Sequence, residues 1–182
     1  MDTLPPLFKG NIYLVGMMGA GKTSVGKLLA NRLGKRFFDS DQQIERRTGV
    51  PISLIFEIEG EAGFRRREAE IIRELVALEN IVLATGGGAV LHPETRQRLN
   101  RTGTVVYLRS TPQRLWQRTR HDRQRPLLQA PDPQKKIADL LAAREPLYQD
   151  VAHVIVDTDS QSLGQLIRRL LPELRQACAE TR

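Results

Sequence analysis

The chain has 182 residues, 40% hydrophobic and 27% charged, the balance of one soluble domain over 1–182 rather than of a disordered or membrane-spanning chain. Lysine and arginine number 28 against 21 acidic residues, and the resulting +7 suits either a nucleic-acid surface or a pocket for a small anion. A single cysteine, Cys178, excludes an intramolecular disulfide and a cysteine-built metal centre, and the absence of a basic-then-apolar leader points to the cytoplasm.

Residues 11–15 read as the first strand, and an apolar stripe of Val25, Leu28, Leu29 and Leu33 predicts a helix over 22–33. Between them Gly16-Met17-Met18-Gly19-Ala20-Gly21-Lys22-Thr23 matches G-x-x-x-x-G-K-[ST]. Strand, loop and helix in that order form a phosphate cradle: glycines bring backbone N–H groups close, and the helix N-terminus adds a favourable dipole. Lys22 then places a positive charge on the β- and γ-phosphates, and Thr23 offers a hydroxyl to Mg²⁺. The chain is therefore expected to bind a nucleoside triphosphate.

A weaker strand over 36–38 runs into Asp39-Ser40-Asp41. A carboxylate there can hold Mg²⁺ or take a proton from an attacking hydroxyl, but Asp41 can equally serve as the N-cap of a helix beginning at Gln42. A helix is predicted over 63–78, opened by Gly60-Glu61 and carrying Phe64-Arg65-Arg66-Arg67-Glu68. Adjacent helical positions diverge by roughly 100°, so one of the three arginines can face a pocket while another is solvated. A strand over 82–84 leads into Thr85-Gly86-Gly87-Gly88, where the missing side chains let a ligand approach the backbone. That strand ends without an acidic residue, which makes Asp39 the better candidate for the metal side.

Strands over 104–108 and 153–156 and helices over 134–147 and 162–174 complete the pattern. Alternating strands and helices imply βαβ units, a mostly parallel sheet, and a ligand site at the carboxyl ends of its strands. Residues 120–133 lack periodicity and read as a surface loop or a lid, with Arg118, Arg120, Arg123 and Arg125 clustered there before Pro126-Leu127-Leu128. Arg144 ends the next helix in Arg144-Glu145-Pro146-Leu147-Tyr148.

These segments, in this order and spacing, closely resemble shikimate kinase from about residue 11 to residue 174. The phosphate loop is common to many families; the Asp-Ser-Asp, Phe-Arg, triple-glycine and Arg-Pro-Leu-Leu combination is far more specific. The resemblance implies an α/β, three-layer P-loop NTPase fold: a five-stranded parallel sheet flanked by helices, with a substrate-binding region at about 39–68 and a lid at about 119–133. It implies transfer of the γ-phosphate of ATP to the 3-hydroxyl of shikimate, a step in aromatic amino acid biosynthesis. It assigns ATP to Gly19, Ala20, Gly21, Lys22, Thr23, Ser24, Arg118 and Arg125, with catalytic roles for Lys22, Asp41 and Arg125. Shikimate falls to Asp41, Arg65, Gly86, Gly87, Gly88 and Arg144, with Glu68 holding Arg65. One Mg²⁺ per subunit, brought with ATP, falls to Thr23 and Asp39. The implied partners are ATP and shikimate alone, with no nucleic acid, no membrane, and a monomer as the working unit.

The chemistry is self-consistent, because shikimate presents one carboxylate and three hydroxyls, which suit arginine forks and a short carboxylate. Two features stand apart. Thr23 replaces the serine of many members, and Glu145 would weaken carboxylate binding if it faced the pocket. A kinase for another hydroxy acid such as gluconate is the nearest alternative. The chain has no guanine-specifying Asn-Lys-x-Asp segment, which argues against a GTPase, and a nucleic-acid-binding reading would rest on the +7 charge.

Overall fold

Among the described residues, five strands form one sheet in the order β2-β3-β1-β4-β5: β1 Asn11–Val15, β2 Arg36–Asp39, β3 Ile81–Ala84, β4 Gly103–Arg109 and β5 Val154–Asp157. All four pairings are parallel. The structure is a computed structural model that describes residues 8–122, 126–159 and 162–180. Burial follows position in the sheet. Every residue of β1 and β3 is buried, and apart from Asn11 these inner strands are apolar runs covered on both faces. The edge strands β2 and β5 carry partly or fully exposed residues, and β2 accordingly has Arg36 and Asp39 at its ends.

Among the described residues, seven α-helices surround the sheet: α1 Lys22–Leu33, α2 Ser40–Thr48, α3 Ile52–Leu75, α4 Pro93–Thr102, α5 Pro112–Thr119, α6 Pro133–Val151 and α7 Leu163–Glu180. Helices α1 and α7 cover one face, while α4 and α6, with α3 alongside, cover the other. The parallel sheet flanked by helices agrees with the expected fold class. Buried Ile12, Leu14, Leu83, Val106 and Leu108 join Leu29, Ile72, Leu99, Ile137 and Ile167 in one hydrophobic core.

Four helices differ from the sequence reading. Helix α3 starts at Ile52 rather than 63, and Gly60 interrupts it with φ 69° and ψ −179°, a conformation that only glycine adopts easily. The break scrambles the apolar period, which is why only the second half was legible. Helices α4 and α5 were not foreseen, since each buries just two residues, Thr95 and Leu99 in one and Leu115 and Thr119 in the other. Their signals lie in their starts: Pro93 and Pro112 sit in the first turns, and Thr111 caps α5 through Arg114 N–H. Helix α7 runs six residues past its expected end at 174, and the buried Ala177 shows that its last turns still pack on the core.

Candidate active site

The strands present their carboxyl ends to one cleft, and the loop after β1 forms its floor. Gly21 caps α1 in the left-handed region at φ 95°, which needs glycine. It brings no side-chain acceptor, and α1 has no acidic residue in its first turn. The first-turn amides and the positive end of the helix dipole are therefore left for an external anion. Lys22 Nζ donates to the carbonyls of Gly16 at 2.7 Å and Met17 at 2.8 Å, so the loop itself holds the cation in place.

Thr23 and Asp39 meet directly: the threonine hydroxyl donates to Asp39 Oδ2 at 2.8 Å. Asp39 Oδ1 accepts from the N–H groups of Asp41 and Gln42, at 3.1 and 3.3 Å. The N-cap of α2 is thus Asp39, not Asp41, because the chain enters the helix two residues earlier than the sequence suggested. Asp41 lies in the first turn with its carboxylate on the cleft.

The second half of α3 supplies the opposite wall. Arg65 pairs with Glu68 at 2.7 Å and with Glu61 at 3.2 Å, and it lies over the Phe64 ring. Of its neighbours, Arg66 is exposed and Arg67 pairs with Glu59 across the Gly60 break. Burial pushes the Glu68 carboxyl up, against the pull of the Arg65 guanidinium and of Arg144. Arg144, only 2% exposed, comes from α6. Neither Arg65 Nε nor Arg144 Nη1 has a hydrogen-bond partner among the described residues. Buried open N–H donors on Arg144 and on the half-buried Arg65, both on one cleft, call for an anion.

The three glycines stand between these groups. None has a positive φ, so space rather than conformation requires them. A Cβ on Gly88 would collide with the Arg65 guanidinium, and one on Gly86 with the Glu68 carboxylate.

The cleft has a volume of 690 Å³ and collects Gly19, Gly21, Lys22, Thr23, Ser24, Asp39, Asp41, Arg65, Gly86, Gly87, Gly88 and Arg144. Ala20 belongs to the loop but is buried beneath it. Arg118 sits beyond the cleft, donating to Gly19 O at 3.1 Å and to Thr158 O at 3.1 Å, so it joins the phosphate loop to the turn after β5. Arg125 lies outside the described residues. Glu145 is absent from the cleft wall and lies 3.5 Å from Tyr107 Oη. The sequence reading missed the apolar wall of Pro51, Ile52 and Phe56, which comes from the unrecognised first half of α3. The Pro51-Ile52 start was its available signal, a proline just before a helical run.

Among the described residues no group of three or more His, Cys, Asp or Glu could hold a metal ion. The Thr23 hydroxyl and Asp39 carboxylate are instead a pair of hard oxygen donors beside the phosphate loop. That set fits Mg²⁺, which usually takes one or two protein oxygens and completes its shell with water and substrate phosphates.

The sequence model of the shikimate kinase family matches residues 18–175. The chain belongs to the shikimate kinase family. The shikimate kinase of Dechloromonas aromatica is 57% identical over 166 residues, covering 91% of each chain. That of Burkholderia pseudomallei is 55% identical over 167 residues, 92% of this chain and 91% of the relative. A solved structure of shikimate kinase from Acinetobacter baumannii, in complex with shikimate, superposes with a TM-score of 0.87 at 49% identity, over 89% of this chain and 90% of that one. The kinase therefore shares its fold and nearly its whole length with these relatives. No helix among its described residues is long and apolar enough to cross a membrane.

Proposed function

We propose that this kinase transfers the γ-phosphate of ATP to the 3-hydroxyl of shikimate, giving shikimate 3-phosphate and ADP. The observation that carries the reading is the pair of arginines, Arg65 and Arg144, whose buried, open N–H donors share the cleft with the Asp41 carboxylate. Guanidinium groups suit the carboxylate of a small acid, and a carboxylate suits its hydroxyls.

The reaction is mainly positioning and charge stabilisation. The loop amides and Lys22 bind the phosphates. Thr23 and Asp39 would hold Mg²⁺, which when bound neutralises charge on the phosphate oxygens. Asp41 orients the acceptor hydroxyl and takes its proton as the oxygen attacks. Arg65 and Arg144 hold the substrate carboxylate, with Gly86, Gly87 and Gly88 lining the same pocket. Ser24 and Arg118 serve the nucleotide, and the lid arginine Arg125 serves the transferring phosphate.

The test is ADP release from Mg-ATP with shikimate, gluconate or quinate as acceptor. Stimulation by shikimate alone is expected. Stimulation by gluconate without shikimate would overturn the assignment.

A further inference from the structure

A run of three glycines has no side chains to hold it, and glycine is the most conformationally free residue. Yet Gly86, Gly87 and Gly88 present backbone to the pocket between Asp41, Arg65 and Arg144, where a peptide turned the wrong way would offer a carbonyl to an anionic substrate. Each of the three peptide planes is held. Gly86 N–H donates to Ser40 Oγ at 2.9 Å. Gly86 C=O accepts from Ala89 N–H at 3.1 Å. Gly87 C=O accepts from Tyr148 Oη at 2.5 Å. In a trans peptide the C=O and the following N–H point in opposite directions. Anchoring the Gly87 carbonyl on Tyr148 therefore turns Gly88 N–H away from α6.

Two of these three holds are side-chain hydroxyls from opposite walls. Ser40 and Tyr148 are both fully buried. Ser40 adjoins Asp41 at the start of α2, and Tyr148 follows Arg144 by one turn on the same face of α6. Tyr148 is stacked on Tyr107 with ring centroids 5.0 Å apart, and burial pushes its phenol up to about 12, so it remains a donor across the working range.

We infer that Ser40 and Tyr148 are positioning residues, which pin the triple-glycine loop from two sides and so set the direction of its amides towards the acid substrate. The inference rests on the proposed shikimate reaction for its kinetic readout. Its structural readout is independent of that reaction.

Tyr148→Phe keeps the ring stack and removes only the hydroxyl; Ser40→Ala removes the other pin. For each, KM for shikimate is expected to rise about five- to tenfold, the worth of one neutral hydrogen bond, with KM for ATP unchanged. Amide exchange at 86–88 should speed up in the free protein. Tyr13→Phe is the control: it loses a buried tyrosine hydroxyl of the same kind, bonded to Thr102 Oγ1 at 2.9 Å and remote from the cleft. It should lower stability and leave KM alone. If the pin variants turn over shikimate with unchanged KM and merely lose stability, as Tyr13→Phe does, the inference fails while the function stands. If the native protein does not phosphorylate shikimate, the function fails, and the exchange rates at 86–88 decide the pins by themselves.

Discussion

Asp41 and Asp39 sit two residues apart and do different work. Asp39 spends one oxygen on the α2 N-cap and the other on Thr23, whereas the Asp41 carboxylate lies on the cleft. Asp41→Asn is therefore expected to lower kcat about a hundredfold or more, the scale of a positioned base, with ATP affinity and thermal midpoint unchanged. A loss of stability with normal kcat would make Asp41 structural instead. Arg144 tests the anion site. Arg144→Lys keeps the charge and removes the planar fork, so KM for shikimate should rise about tenfold with little change in KM for ATP. An unchanged KM would remove Arg144 from the carboxylate site.

Helices and strands bring these residues together through contacts the local sequence does not announce. The edge of the sheet shows this at His153. Its ring Nδ1 accepts Val105 N–H at 3.0 Å, and the His153 backbone N–H donates to Val105 O at 2.9 Å, so the residue continues the pairing of β5 with β4. Burial holds it below its usual 6.5, in the neutral form that can accept. As pH falls below 6.5 the unfolded chain takes up a proton before the folded one does, so this contribution is complete above 6.5 and is lost below it. The thermal midpoint of the native protein should drop between pH 7.5 and 5.5 by more than that of His153→Gln. Equal drops would mean that the ring does not titrate against folding.

Across the whole molecule, a buried lysine ties distant parts of the chain together. Lys35 Nζ donates to Phe8 O at 3.0 Å, Gly10 O at 2.7 Å and Asn80 Oδ1 at 2.8 Å, and burial holds its pKa down. These contacts join the approach to β1, the end of α1 and the approach to β3, on the side of the sheet away from the cleft. Lys35→Met strands three acceptors. It is expected to cost about 2 kcal/mol, or about 4–8 °C in thermal midpoint for a chain of this size, with both KM values unchanged. A shift in KM would show that this end of the molecule communicates with the cleft. Lys35 also accounts for one of the surplus positive charges without a nucleic-acid partner, since its ammonium is consumed inside the fold.

The residue pattern alone determined the phosphate loop, the central strands and helix α1. There the signal is local: a glycine-rich turn between a continuous apolar run and a 3.6-residue stripe has few other folds. The family resemblance, carried by short contiguous motifs, pointed to Asp39, Asp41, Arg65, Gly86, Gly87, Gly88 and Arg144, and the fold lines one cleft with all seven. What it could not decide depended on partners far away in the chain. The cap passed to Asp39 because Thr23, sixteen residues back, meets its other oxygen. Helix α4 forms without an apolar stripe because it needs only Thr95 and Leu99 to dock. The Gly87 carbonyl meets Tyr148, sixty-one residues on, a contact that exists only once α6 packs against β4 and the turn at Ala89–Leu91. Burial and hydrogen bonding between remote segments are properties of the folded chain, and only the tertiary structure states them.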